Sequence, residues 1–159
     1  MKRKRGMSIS QHKDWGMLLY EIRMRIGKII LSLQYEYSQQ ALRPFLKIEK
    51  RIDVLRSTFD DFLFSEYPLL SETGKTVYYP GTHTLTMDGH LSLDFICRLL
   101  HTMACDLRMA SNIIFDHYPV SYGYRVLRIA NVMECQSKKL PYTISRKNPL
   151  SKHHKKHIA

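Results

Sequence analysis

The chain is poor in the residues that punctuate or staple a fold: 7 Gly, 6 Pro, 3 Cys and a single Trp in 159 residues. So little glycine and proline excludes collagen-like and low-complexity classes, and 44% apolar content excludes wholesale disorder. Cys97, Cys105 and Cys135 form neither a CxxC pair nor an even framework. A disulfide scaffold is thereby excluded, and a reducing, cytoplasmic setting is expected. No apolar run is long enough to suggest a membrane span, so no membrane partner is expected. The amino end, Met1-Lys2-Arg3-Lys4-Arg5, is basic, but the apolar stretch and cleavage site of a signal peptide do not follow it. The length suits one domain with a sizeable core.

Acidic residues are missing where basic ones are dense. The net charge of +11 comes from 25 Lys+Arg against 14 Asp+Glu, and it lies wholly in the two ends. Residues 1–14 set Lys2, Arg3, Lys4, Arg5 and Lys13 against Asp14 alone. Residues 136–159 hold Lys138, Lys139, Arg146, Lys147, Lys152, Lys155 and Lys156 and no acid. Between them the charges balance, but unevenly: residues 15–59 are mostly basic and residues 60–116 mostly acidic. Charge of one sign on chain ends reaches a polyanion at little cost to the folded body, and binding of that kind weakens steeply with salt.

Helical periodicity dominates the interior. Trp15, Leu19, Ile22, Ile26, Ile29 and Leu33 recur at intervals of four and three, as do Phe45, Ile48, Ile52, Leu55, Phe59 and Phe62. The same intervals carry Leu93, Ile96, Leu100, Met103, Leu107, Ala110 and Ile114, and, over a shorter length, Tyr122, Val126, Ile129 and Met133. Each is an amphipathic helix with a specified core face, and none can bury that face alone. Pro44 predicts a break near residues 39–43 and a place in the first turn of the second helix. Tyr67-Pro68 and Tyr118-Pro119 predict the ends of the second and third helices, Ser92 or Asp88 caps the third, and Pro119 to Gly123 reads as a short turn.

Residues 67–89 break the pattern. Thr76-Val77-Tyr78-Tyr79 and Thr82 to Met87, rich in β-branched and aromatic residues, predict a small hairpin-like excursion around Pro80-Gly81. The fold expected is therefore all-α: a four-helix bundle over 14–137, with that excursion between helices 2 and 3. A basic arm (1–13) and a basic tail (138–159) form flexible termini.

Motifs for catalysis are absent or misspaced. Ser71-Glu72-Thr73-Gly74-Lys75-Thr76 ends like a phosphate loop, but Leu69 stands where its first glycine is required. His153, His154 and His157 have no carboxylate or thiolate nearby, so no metal or other cofactor is expected. Arg98-x2-His101 and Arg108-x8-His117 miss the interval of an arginine–histidine ribonuclease, and the cysteines have no His/acid constellation along the chain. No catalytic residue is assigned.

The function expected is a non-catalytic nucleic-acid-binding subunit, RNA favoured over DNA, working with a larger protein partner or by self-association. Lys2, Arg3, Lys4, Arg5, Arg23, Arg25, Lys28, Lys47, Lys50, Arg51, Arg125, Arg128, Lys138, Lys139, Arg146, Lys147, Lys152, Lys155 and Lys156 are the expected phosphate contacts. Tyr124 and Tyr142, interleaved with cations, are the expected stacking rings. A helical adaptor that oligomerises or docks on a larger enzyme is the alternative, and a helical ribonuclease a lesser one.

Overall fold

The computed structural model describes residues 4–35, 37–70, 72–81 and 90–147, with side chains described except at 72, 73 and 143–147. Helix α1 (Ile9–Gln34) opens on a reciprocal cap. The Ser8 hydroxyl accepts from the Gln11 N–H at 3.1 Å, and the Gln11 side chain accepts from the Ser8 N–H at 2.8 Å. Helix α2 spans Gln39–Glu66, α3 is a single turn at Glu72–Lys75, α4 spans Leu93–His117 and α5 spans Val120–Lys147. Both predicted X-Pro stops hold, because the proline ring disfavours helical backbone in the residue before it. Ser92 is the cap of α4, its hydroxyl accepting from the Phe95 N–H at 3.2 Å.

Four boundaries differ from the sequence reading. Helix α1 begins at Ile9, inside the arm expected to run to residue 13. The first break falls at residues 35–38, and Pro44 lies inside α2, in its second turn, where it forgoes one backbone hydrogen bond. The expected turn at 119–123 is the start of α5; Gly123 is helical and gives room to the Phe115 ring, which a Cβ there would overlap. Helix α5 also runs on past 137, through Pro141 to Lys147, and buries Leu140. The first part of the expected flexible tail is therefore helix.

The predicted stripes form the core. Trp15, Leu19, Ile22, Ile26, Ile29 and Leu33 of α1 meet Phe45, Ile48, Ile52, Leu55, Phe59 and Leu63 of α2, all buried. Ile96, Leu100, Met103, Leu107 and Ile114 of α4, with Val126, Ile129 and Met133 of α5, complete it. Phe62, Leu93, Ala110 and Tyr122 are only partly covered. Helices α1 and α2 form one antiparallel pair and α4 and α5 a second, with α2 packed on α5 and α1 on α4. Going round the bundle, the order is α1, α2, α5, α4, so α1 lies diagonally across from α5.

That order explains residues 67–92. Helix α2 ends at the base of the bundle, beside His12, whereas α4 starts near Ser32, at the top. At about 1.5 Å of rise per residue, the connection must travel the length of a helix. Its described ends both touch α1: Val77 crosses at Gly16, and the Leu91 N–H donates to the Ser32 hydroxyl at 3.2 Å. The first arm of the expected hairpin is not a strand, and no strand occurs among the described residues. Residues 72–75 make a helical turn and 76–78 a further turn that presses Val77 and Tyr78 into the base. Val77 and Tyr78, two of the residues that suggested a strand, are plugs for the core. Thr82 to Met87, the second expected arm, lie outside the described residues. No described helix is long and apolar enough to cross a membrane.

Candidate nucleic-acid interface

A groove of about 410 Å³ opens between α2 and α5, lined by Lys50, Arg51, Val54, Leu55, Arg125, Arg128 and Ile129. Its geometry follows from the core registers. Arg51 precedes the buried Leu55 by four residues and Arg125 precedes the buried Ile129 by four, so each cation emerges one turn along from a floor residue. Lys50 likewise precedes Val54, which is 51% exposed at the lip. Long basic side chains cover apolar surface with their stems and keep their charges in water. No described residue forms an ion pair with any of the four cations. The Arg125 guanidinium lies over the Tyr122 ring, 5.2 Å from its centroid, a cation–π contact.

Glu49 and Asp53 of α2 and Glu134 of α5 are turned to the other seams. Glu49 and Asp53 face α1, where Arg23 binds both, at 3.1 and 2.9 Å. Asp53 also holds Arg56 at 3.3 Å, and Arg56 donates to the Tyr78 carbonyl. Glu134 faces α4, where Arg108 pairs with it and Lys138 lies at 3.8 Å. The Arg108 hydrogen bond, reinforced by the charges of Arg108, Lys138 and His101, holds the Glu134 carboxyl below the usual range. Lys50 and Arg51 of α2 and Arg125 and Arg128 of α5 are left to share one groove.

The groove thus gathers Lys50, Arg51, Arg125 and Arg128. Lys47 stands exposed on α2, one turn from Arg51. The other expected contacts are elsewhere. Arg23 is neutralised by its two carboxylates, and Arg25 and Lys28 belong to α1, diagonal to α5. Lys138 is paired with Glu134. Lys139 is exposed on α5, as are Tyr124, 5.2 Å from the Phe115 ring, and Tyr142. Arg146 and Lys147 fall in the last turn of α5. Lys2, Arg3, Lys152, Lys155 and Lys156 lie outside the described residues.

Residues 4–8 are packed, which departs from the expected free arm. Lys4 Nζ donates to the Phe115 and Tyr118 carbonyls, at 2.6 and 3.1 Å, and so caps the negative end of α4. His117 Nδ1–H donates to the Arg5 carbonyl at 2.8 Å, and Met7 is fully buried. Lys4 is a helix cap before it is a phosphate contact.

Sequence reasoning missed what lies beneath this arm. His12, 0% exposed, joins Tyr78, Glu66 and Tyr118 in a buried polar network. One proton arrangement gives every group a partner. The Tyr78 hydroxyl donates to His12 Nδ1 at 2.6 Å, and His12 Nε2–H donates to Glu66 at 2.7 Å. The Tyr118 hydroxyl donates to the other Glu66 oxygen at 2.7 Å and accepts from the Met7 N–H at 3.2 Å. Burial pushes both phenols well above their ordinary range, so they remain donors. His12 falls beside the apolar stripe of α1, but no spacing along the chain points to Glu66 or Tyr78.

A second grouping also escaped the chain-level reading. Cys105 Sγ lies 3.7 Å from His101 Nε2, and His101 Nδ1 lies 4.0 Å from Glu134. The i, i+4 interval of His101 and Cys105 was the available signal. His101 is exposed, and the acid of the trio is held by Arg108. Burial and the nearby Asp94 raise the Cys97 thiol, away from the reactive thiolate. Among the described residues no three metal-ligating side chains cluster. No protein-family model matches this chain, and no curated protein or solved structure shows significant similarity to it.

Proposed function

We propose that the protein is a non-catalytic nucleic-acid-binding subunit, RNA ahead of DNA, that holds the phosphate chain in the α2–α5 groove and works within a larger complex. One observation carries this reading: Lys50, Arg51, Arg125 and Arg128 converge from two helices with no carboxylate among the residues that line the groove. Four like charges held together are unfavourable unless an anion neutralises them, and a phosphate chain presents charges at regular intervals. The basic residues of 138–159 add to the attraction. Such contacts position a protein without reading sequence, so selectivity comes from shape or from a partner.

The test is RNA binding by fluorescence anisotropy across a salt series, with the full-length protein and with Lys50, Arg51, Arg125 and Arg128 all changed to Ala. Each lost phosphate contact removes about 0.7 to 0.9 from the slope of log affinity against log salt, so the variant loses about three units. Unchanged affinity and slope would refute the assignment.

The adaptor reading has its own observation. Phe95, Met109 and Ile113 are exposed on α4, Met109 to 74%, and large exposed apolar side chains on one helix suit a protein partner. Light scattering with and without RNA separates the two. Self-association that ignores RNA, in a protein whose groove variant still binds like the parent, favours the adaptor.

A further inference from the structure

We infer that the α2–α5 groove takes an unpaired nucleotide, so that the nucleic acid it recognises is single-stranded at the point of contact. The inference rests on the nucleic-acid reading and narrows it. A duplex shows a protein its phosphates and sugars, with the faces of its bases stacked inside; a rim of cations suffices for it. This groove has more than a rim. Its floor is apolar, made by Leu55 and Ile129, and Val54 stands half-exposed at its lip. The volume of about 410 Å³ falls within the range of about 300–1,000 Å³ found for small organic ligands, larger than a phosphate requires.

One lining residue, Arg125, also offers a flat guanidinium, backed by the Tyr122 ring outside the lining. Tyr122 is wedged against Phe59 and Phe62, with centroids 6.4 and 5.1 Å away, so its ring is fixed. Arg125 lies against that ring, which steadies the guanidinium plane beside the floor. Bases of single strands stack on aromatic rings and on arginine planes, while flanking cations hold the phosphates on either side. Arg51 and Lys50 from α2 face Arg125 and Arg128 from α5, which places cations on both sides of such a base. An acidic protein segment would satisfy the charges but would leave the floor and the arginine plane unused.

The test uses the full-length protein and fluorescein-labelled single-stranded RNA, the same sequence as single-stranded DNA, and the RNA annealed to its complement. Polyglutamate serves as a competitor. Single strands should bind about tenfold more tightly than the duplex at equal salt, the contribution of one stacked base. Two variants at exposed positions probe the contact. Arg125→Lys keeps the charge and removes the plane, so the single-strand to duplex affinity ratio should fall about fivefold to tenfold. Val54→Phe adds a ring at the lip and should raise that ratio. Circular dichroism checks that both variants fold.

Tighter RNA than DNA among the single strands assigns the ligand to RNA, and equal binding assigns it to either; both outcomes support the inference. If the duplex binds as well as the single strands, or neither variant moves the ratio, the inference fails and the nucleic-acid reading stands. If no nucleic acid binds, or polyglutamate outcompetes all of them, both fall together.

Discussion

Replacing His12 with alanine removes the central member of the buried network at the base of the bundle. The imidazole is 0% exposed and contacts Tyr78, Glu66 and Tyr118. Without it the Tyr78 hydroxyl, itself fully buried, loses its acceptor, and an unsatisfied buried polar group costs about 1–3 kcal/mol. The Glu66 carboxylate loses one of its two side-chain donors, and a hydrogen bond to a charged group contributes about 1.5–3 kcal/mol. Allowing for relaxation and water entry, the expected loss is about 4 kcal/mol, in line with the cost of breaking a buried pair by removing one member. Against a total stability of about 5–15 kcal/mol this is a large share of the margin. Urea unfolding followed by the fluorescence of Trp15, the sole tryptophan, buried against Phe59, measures it directly. Tyr78→Phe, which removes only the hydroxyl, should cost about 1 kcal/mol. The double variant should cost less than the sum, because both changes break one hydrogen bond. A His12→Ala loss below about 1 kcal/mol, or strict additivity with Tyr78→Phe, would show that the network contributes little.

Two further outcomes follow from the same region. The Tyr78 and Tyr118 phenols are raised by burial in the folded state, so the folded protein keeps protons that the unfolded chain releases. Their stabilising contribution is whole below the unfolded value near pH 10 and is lost as pH rises beyond it, at about 1.4 kcal/mol per pH unit for each tyrosine. Unfolding midpoints should fall steeply above that pH and level off in Tyr78→Phe/Tyr118→Phe; a flat alkaline limb in the parent would contradict the burial of both rings. Gly16→Ala places a methyl group against the Val77 carbonyl, which is backbone and has little room to yield. It should destabilise by about 1–3 kcal/mol, read as a drop in thermal midpoint, whereas a neutral result would mean that residues 76–78 do not cross α1 there.

Part of the architecture could be read along the chain, and the reason is periodicity. A residue that recurs every three or four positions reports which face of a helix is buried; every stripe residue from Trp15 to Leu33 is buried, although Ser32, expected on the opposite face, is buried too. The X-Pro rule is equally local, which is why Glu66 and His117 end their helices where expected. Pro44 and Gly123 misled because their effects depend on neighbours: a proline in a second helical turn forgoes one bond, and a helical glycine is favoured when a ring such as Phe115 needs its space. Thr76 to Tyr79 misled for the same reason. Their β-branched and aromatic side chains suit any half-buried surface, and here that surface is the base of a helical bundle.

For the candidate site the division is sharper. Amino-acid order alone determined four amphipathic helices and the excess of cations at the chain ends, since both depend on spacing and composition within short stretches. Only tertiary structure decided that α2 lies on α5 and α1 diagonally across, so that Lys50 and Arg51 meet Arg125 and Arg128 while Arg23 is neutralised on the neighbouring α1–α2 seam. It also decided that His12 finds Glu66, Tyr78 and Tyr118. A helical pattern states which face turns inward, but which helix covers it, and therefore which flanks become neighbours, is settled by packing among segments far apart in the chain.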